Sequence, residues 1–312
     1  MAYNANMNTE KTKLFINTIL VSVVSFVWAS VYWLGNSNLW QVNLMLSTSL
    51  NRPWVYRQLV PSFARLISAS GVRPDISIVL IVTFAGVGFY FSLRRLVFLL
   101  YKKSDLMEVL VIASVFFGMF LFGRERLPYD LMTVFLFTLS LLLLAQDKFL
   151  AYCLLFPIVC LNRETGFLLI VFTVFYDHDV RIGRDSLVVL YQVLVWFAVR
   201  LGLLYAFRNN GGVDAFVMPV HNLQVFLAHP LYTLIHALVF GAILLLVVRH
   251  WWRKPLFLRK AFIIFMPILL VAYWVFGQPY ELRVFWEVYP VTALLLIAPE
   301  RGALCDGGEP QI

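Results

Sequence analysis

Apolar residues run along this chain in long unbroken blocks rather than in the narrow stripes or strict alternation of a soluble fold. Blocks lie near 14–34, 76–93, 107–123, 130–146, 149–161, 165–176, 187–207, 231–248, 261–276 and 284–299. A hydrocarbon core ~30 Å thick takes about 20 helical residues to cross. The pattern therefore predicts an all-α fold, a polytopic transmembrane bundle of about ten spans. Two neighbouring blocks, 149–161 and 165–176, are short, each covering only about 20 Å or less as a helix. Fusing them into one span would throw the bases of "RHWWRKPLFLRK" to the opposite side of the membrane, against the rule that basic loops stay inside. A hairpin of two short helices is the better reading. Its turn, Asn162-Arg163-Glu164-Thr165, then sits below the outer membrane surface. Charged, non-helical backbone is tolerated at that depth only where it lines a protein-walled or watery cavity.

Composition agrees with the blocks. Of 312 residues 61% are hydrophobic and 13% charged, which excludes an ordinary soluble domain. No polar stretch is long enough for a second domain, so residues 1–312 are expected to form one membrane domain. Residues 1–13 form a cytoplasmic N-terminus leading into a retained signal anchor, 35–75 the first outer loop, and 300–312 a cytoplasmic tail. Cys153, Cys160 and Cys305 follow neither metal-ligand nor disulfide spacing and read as packing residues.

Charge adds a second asymmetry. Every lysine (Lys11, Lys13, Lys102, Lys103, Lys148, Lys254, Lys260) falls on the inner side of this topology. The outer segments carry Arg52, Arg57, Arg65, Arg73, Arg124, Arg126, Arg163, Arg208 and Arg283 without a lysine, and Arg200 lies in the outer half of a span. A guanidinium presents a planar fork of donors that grips phosphate or carboxylate in two places and stays charged when desolvated. Arg52, Arg57, Arg124, Arg126, Arg163 and Arg283 are accordingly the candidate grips for a lipid-linked phosphate. The plainer alternative is bracing of the loops by the outer acids Asp75, Glu125, Asp130, Glu164, Asp214, Glu281 and Glu287. Buried ion pairs seldom out-stabilise apolar packing, which weakens that alternative for "RER" and "NRE".

A carboxylate near several Arg can take a hydroxyl proton while a phosphate leaves, and Glu164, Asp130 and Glu125 are the candidate catalytic groups. Glu164 is expected to pair with its neighbour Arg163 and to be essential, as base or as the anchor of Arg163, and Asp214 on its Gly-rich loop to be dispensable. In the first outer loop Leu59, Val60, Phe63, Leu66 and Ile67 recur at helical spacing, which predicts a helix lying in the interface with Arg57 and Arg65 off its apolar stripe. His221 and His229 show no ligand spacing, so the sequence signals no metal site and leaves a divalent cation open. No Gly-rich nucleotide loop occurs on the inner side, which argues against a nucleotide-driven reaction, and nothing suggests nucleic acid.

The interfacial helix in the first outer loop, together with "YRQLVP", "PYD", "LNRET" and "ELR", resembles the GT-C glycosyltransferases, integral membrane enzymes that take a sugar from a polyprenyl-phosphate donor. The resemblance implies transfer to an extracytoplasmic glycan or lipid acceptor, in surface-polysaccharide assembly at a bacterial inner membrane. One departure stands out. Members of that group carry an acid early in the first outer loop, whereas residues 35–74 here contain no Asp or Glu. The base would have moved to Asp130, Glu125 or Glu164, or the scaffold persists without the reaction. A flippase or transporter of a lipid-linked saccharide, or an accessory subunit of polysaccharide assembly, would use the same arginines without chemistry.

Overall fold

The computed structural model describes residues 18–27, 29–30, 39–101, 127–176, 184–215, 217–277 and 282–296. Among these no strand occurs; the chain is helical apart from turns and one isolated bridge, Arg52 with Gly212. The helices are α1 (Thr18–Val27), α2 (Leu39–Leu46), α3 (Leu59–Ser68), α4 (Pro74–Tyr101), α5 (Pro128–Ala145), α6 (Phe149–Asn162), α7 (Phe167–Tyr176), α8 (Arg184–Ala206), α9 (Pro219–Ala228), α10 (Pro230–Val248), α11 (Leu256–Phe276) and α12 (Tyr289–Leu296). Four of them are long and apolar enough to cross a membrane: α4, α5, α11 and Ser186–Ala206 of α8. A fifth is reached if α9 and α10, sharply bent at their junction, count as one broken span. They mark an integral membrane protein.

The core forms where α4 lies along α5, with α6 against α5 and α8, and α11 against α7 and α12. Fully buried Phe89, Phe137, Phe156, Phe172 and Phe265 fill it. Outward faces stay apolar, as Leu187, Leu190, Leu194, Phe197 and Leu201 on α8 illustrate at helical spacing. In a bilayer such a face needs no protein cover.

The two short helices predicted from the sequence are present as α6 and α7, joined by a single turn of 3-10 helix at Glu164–Gly166. Gln192 of α8 donates to Tyr152 of α6 and to Thr173 of α7 at 3.4 Å, so the far ends of the two helices meet on one side chain. Proline inside α6 removes the amide that would bond the carbonyl four residues back. That carbonyl, Cys153, instead accepts from the Tyr191 hydroxyl at 2.9 Å. An apolar setting demands such repair, because water cannot supply it.

The helix expected in the first outer loop is α3, but its apolar stripe is divided. Leu59 and Val60 are buried with Pro61 and Ala64, whereas Phe63 and Leu66 face outward. The helix rests on α4, α5 and α6 through its buried side. Arg57 precedes it, in the segment that follows the 3-10 turn Trp54–Tyr56.

Candidate functional site

One end of the bundle gathers the starts of α5 and α7, the end of α6, the upper half of α8 and the 282–288 segment. Leu127 in extended conformation and Pro128 at the first helical position start α5, so that Tyr129 and Asp130 fall in its first turn. Extended Arg163 ends α6 and breaks the chain into the turn. Asn162 anchors that break by donating to Thr133 Oγ1 at 2.8 Å and to the Tyr129 carbonyl at 3.4 Å.

The ion pairs cross rather than run along the chain. Arg57 donates to Tyr129 Oη at 2.7 Å and to Glu164 Oε1 at 3.3 Å, with its guanidinium 4.7 Å from the centre of the Tyr129 ring. Arg163 donates to Glu287 Oε1 at 3.0 Å and to the Arg283 carbonyl at 3.2 Å. Thr165 donates to the same Glu287 oxygen at 2.5 Å. The expected Arg163 partner for Glu164 is therefore replaced by Arg57, because extended Arg163 is bound by Glu287 and the adjacent Glu164 is met by Arg57 from the first loop.

Burial alone would raise the Glu164 carboxyl, but the charges of Arg57 and Arg163 outweigh it and hold the group down at about 2. Its side chain is 34% exposed, the most open of the acids here. Burial likewise works against charge on Arg57, while Tyr129, Glu164 and Asp130 more than compensate and keep it protonated.

Asp130 is 1% exposed, and neither of its oxygens makes a hydrogen bond that meets normal geometry among the described residues. The Leu127 amide faces it, and the positive charges acting on it most strongly are Arg283, Arg163 and Arg57. Arg57 Nε, Arg163 Nε and Glu287 Oε2 are also buried without a hydrogen-bond partner. Unsatisfied buried groups are scarce in folded proteins, and several in one cluster single it out.

The depth of the cluster follows from α8. Trp196 Nε1 donates to the Glu164 carbonyl at 3.0 Å. From there α8 continues to Ala206, a further rise of about 15 Å. The turn thus lies well short of that helix end. Above it, Tyr56 is covered by Arg200 at 4.8 Å from its ring centre and packs with Val55 and Leu203. The segment 50–57 is stitched to 210–214: Arg52 N–H donates to the Gly211 carbonyl at 2.8 Å, and its guanidinium to the Gly212 carbonyl at 3.0 Å and Asp214 at 3.2 Å. The Tyr56 hydroxyl also donates to Asp214, and Asn210 donates to the Thr48 and Leu50 carbonyls at 2.7 and 2.9 Å. Gly212 has φ +91°, and an added Cβ would stand 2.5 Å from the Arg52 carbonyl oxygen, so the stitch requires glycine.

Beside the turn, Phe167, Ile170 and Val171 of α7 and Val193, Trp196 and Phe197 of α8 line an apolar groove of about 450 Å³. Arg200 stands one helical turn beyond Trp196, on the same face of α8 as Val193 and Phe197.

Of the sequence candidates, Arg57, Asp130, Arg163, Glu164 and Arg283 come together. Arg52 is engaged in the stitch, and Glu125, Arg124 and Arg126 lie outside the described residues. Among the described residues no three His, Cys, Asp or Glu side chains are grouped to hold a metal ion. Tyr129, Thr165, Trp196 and Glu287 were not singled out as site residues. Glu287 alone left a usable signal, an acid set inside the apolar run "VFWEVYPV". No family model, curated protein or solved structure matches the chain.

Proposed function

We propose that the protein is a membrane glycosyltransferase of the GT-C kind, moving a sugar from a polyprenyl-phosphate-linked donor to a hydroxyl-bearing acceptor. In this reading the chain makes about ten spans with both termini in the cytoplasm. The Glu164 end then faces outward, at a bacterial inner membrane. The observation that carries the proposal is the cluster of unpartnered buried groups around Asp130: carboxylate oxygens able to accept a hydroxyl proton beside guanidinium N–H groups able to bind a phosphate. The apolar groove between α7 and α8 supports it by offering a lipid chain a berth beside the same turn.

Asp130 is the base in this scheme. Glu164, held down at about 2 by its arginines, is a weak proton acceptor at neutral pH. It positions Arg57 instead. As Asp130 takes the acceptor proton, the acceptor oxygen bonds to the anomeric carbon. The bond from that carbon to the phosphate oxygen breaks, and its electron pair leaves on the lipid phosphate. Arg57, Arg163 and Arg283 stabilise the departing charge, and the anomeric configuration inverts.

A short-chain polyprenyl monophosphate and the matching polyprenyl alcohol, offered to the purified protein and followed by native mass spectrometry, test the binding half. The phosphate should be retained and the alcohol not, and Arg57→Lys and Arg163→Lys should each weaken retention. Equal retention of the two lipids would end the phosphate reading. For the chemical half, release of polyprenyl phosphate is measured from a panel of polyprenyl-phosphate sugars. Movement of an intact lipid-linked saccharide across the vesicle, with no release, would establish the transporter instead.

A further inference from the structure

The opposite end of the molecule carries a feature the proposed reaction does not use. Between α10 and α11 the sequence "RHWWRKPLFLRK" packs Arg249, Arg253, Lys254, Arg259 and Lys260 around two tryptophans without an acid. The chain leaves α10 through His250 in left-handed conformation at φ 55°, then makes the 3-10 turn Trp251–Arg253. Left-handed backbone in a residue other than glycine is unfavourable and is kept only where the surroundings hold it.

What the corner achieves is a division of labour among its bases. Buried Lys254 folds back to donate to the Leu246 carbonyl at 3.2 Å and to that of Val247, satisfying the end of α10. Lys260 donates to the Tyr176 carbonyl at 2.6 Å and so closes α7. Helix ends normally draw on whatever cations lie nearby. With these two lysines assigned to that duty, Arg249 and Arg253 remain exposed and form no ion pair with a described acid. Between them Trp252 is 84% exposed, and Arg259 lies 5.4 Å from the centre of its ring. Leu256 is exposed on the far side of the turn, and Leu244, Leu245, Leu246 and Val248 on the near side. The charged corner is therefore continuous with an apolar outer face.

We infer that this corner is a binding site for one anionic phospholipid of the leaflet that it faces. Arg249 and Arg253 receive the phosphate, Trp252 sits at the headgroup level with Arg259 on its ring, and the chains run along the exposed leucines of α10. A tryptophan belongs at the membrane boundary because its ring is apolar and its N–H is polar. The attraction between two surface arginines and an anionic headgroup adds up per charge, and it is short-ranged. A soluble anion would gain the charge contact but not the apolar one, so the lipid is the occupant that uses both halves of the surface.

The full chain, placed in nanodiscs of phosphatidylcholine with a minor fraction of phosphatidylglycerol, is released into the mass spectrometer and its retained lipids are counted. Phosphatidylglycerol should be enriched over its share of the disc. Arg249→Gln with Arg253→Gln should lower that enrichment roughly tenfold or more. Trp252→Phe should keep most of it and Trp252→Ser lose it. Because the readout is a ratio of two lipids within one sample, a fall in folded protein does not imitate the effect. Retention in proportion to disc composition would overturn the inference, as would a double variant with unchanged preference. Displacement of the lipid by millimolar glycerol phosphate would assign the corner to a soluble anion and overturn it too. None of these outcomes bears on the Asp130 site.

Discussion

At the Glu164 end of the bundle, arginines are turned inward and bound to carboxylates; at the Lys254 end, lysines close helix termini and arginines face out. Arg57 and Arg163 are buried and each meets an acid brought from a distant part of the chain. Lys254 and Lys260 instead donate to backbone carbonyls and form no ion pair with a described acid. The difference is one of desolvation. Lys254 and Lys260 at the second end complete hydrogen bonds that α10 and α7 would otherwise lack, a structural service that any helix end requests. The first end takes charges out of water with no such request. An ion pair there gives little over apolar packing, so stability alone does not account for it, and the proposed reaction would give it a purpose.

The comparison would break most visibly at Asp130. Asp130→Asn keeps the shape and removes the charge, and turnover should fall by roughly 10²–10⁴ while the melting temperature holds or rises. A normal rate in this variant would remove Asp130 from the chemistry and leave the inward charges without their proposed purpose. Next comes Arg163→Met, which strands Glu287 at 0% exposure; a loss of about 3–5 kcal/mol is expected. The double variant Arg163→Met with Glu287→Met should recover most of it in the same denaturation assay. If the single variant were as stable as the parent, the pair would not be the buried contact described.

Glu164→Gln sharpens the comparison through pH. A carboxyl lowered from its ordinary 4.5 to about 2 stabilises the fold above pH 4.5, and the contribution fades as pH falls through that window. The stability gap between parent and variant should be widest at neutral pH and close towards pH 2. A gap independent of pH would mean that the carboxylate is not held by Arg57. At the other end, Lys254→Met leaves the Leu246 and Val247 carbonyls without a donor. It should cost about 1–3 kcal/mol, with lipid-linked turnover unaffected. The smallest effect belongs to Asp214→Asn. Its carboxylate is 57% exposed, so the pair with Arg52 is screened, and less than about 1 kcal/mol is expected from thermal melts.

The division between the two ends was legible in the sequence because it rests on which bases fall in which loops, a property of spacing alone. The short helices on either side of Asn162–Thr165 were legible for the same reason. Partners were not. Arg163 and Glu164 are adjacent, and adjacency suggested a pair, but an extended residue directs successive side chains to opposite sides. Glu164 therefore looks to Arg57 and Arg163 to Glu287. Glu287 was read only as one outer acid among several, although its place inside the apolar run "VFWEVYPV" was a local sign of burial. The stripe on α3 was seen, but not that Leu59, Val60 and Ala64 would be covered by protein while Phe63 and Leu66 stay outward, because periodicity marks a face without saying what covers it. Spans were harder still: the described residues contain four helices of crossing length, or up to five, since apolar blocks such as α6 and α7 are too short to count individually.

The stitch of residue 52 to residues 211 and 212, and the pairing of Arg57 with Glu164, also set a timetable for biosynthesis. Arg57 leaves the ribosome long before its partners, and at about 5–20 residues per second the 282–288 segment follows after roughly tens of seconds. Arg57 meets Tyr129 and Glu164 well before that, and it is Arg163 that waits for the last of these residues, Glu287. The 282–288 segment brings Arg283 and Glu287 together, so it adds no net charge, and it completes the ion pair of Arg163. A chain stalled before Glu287 would leave Arg163 without that partner, a charge committed to the interior before its counterpart exists.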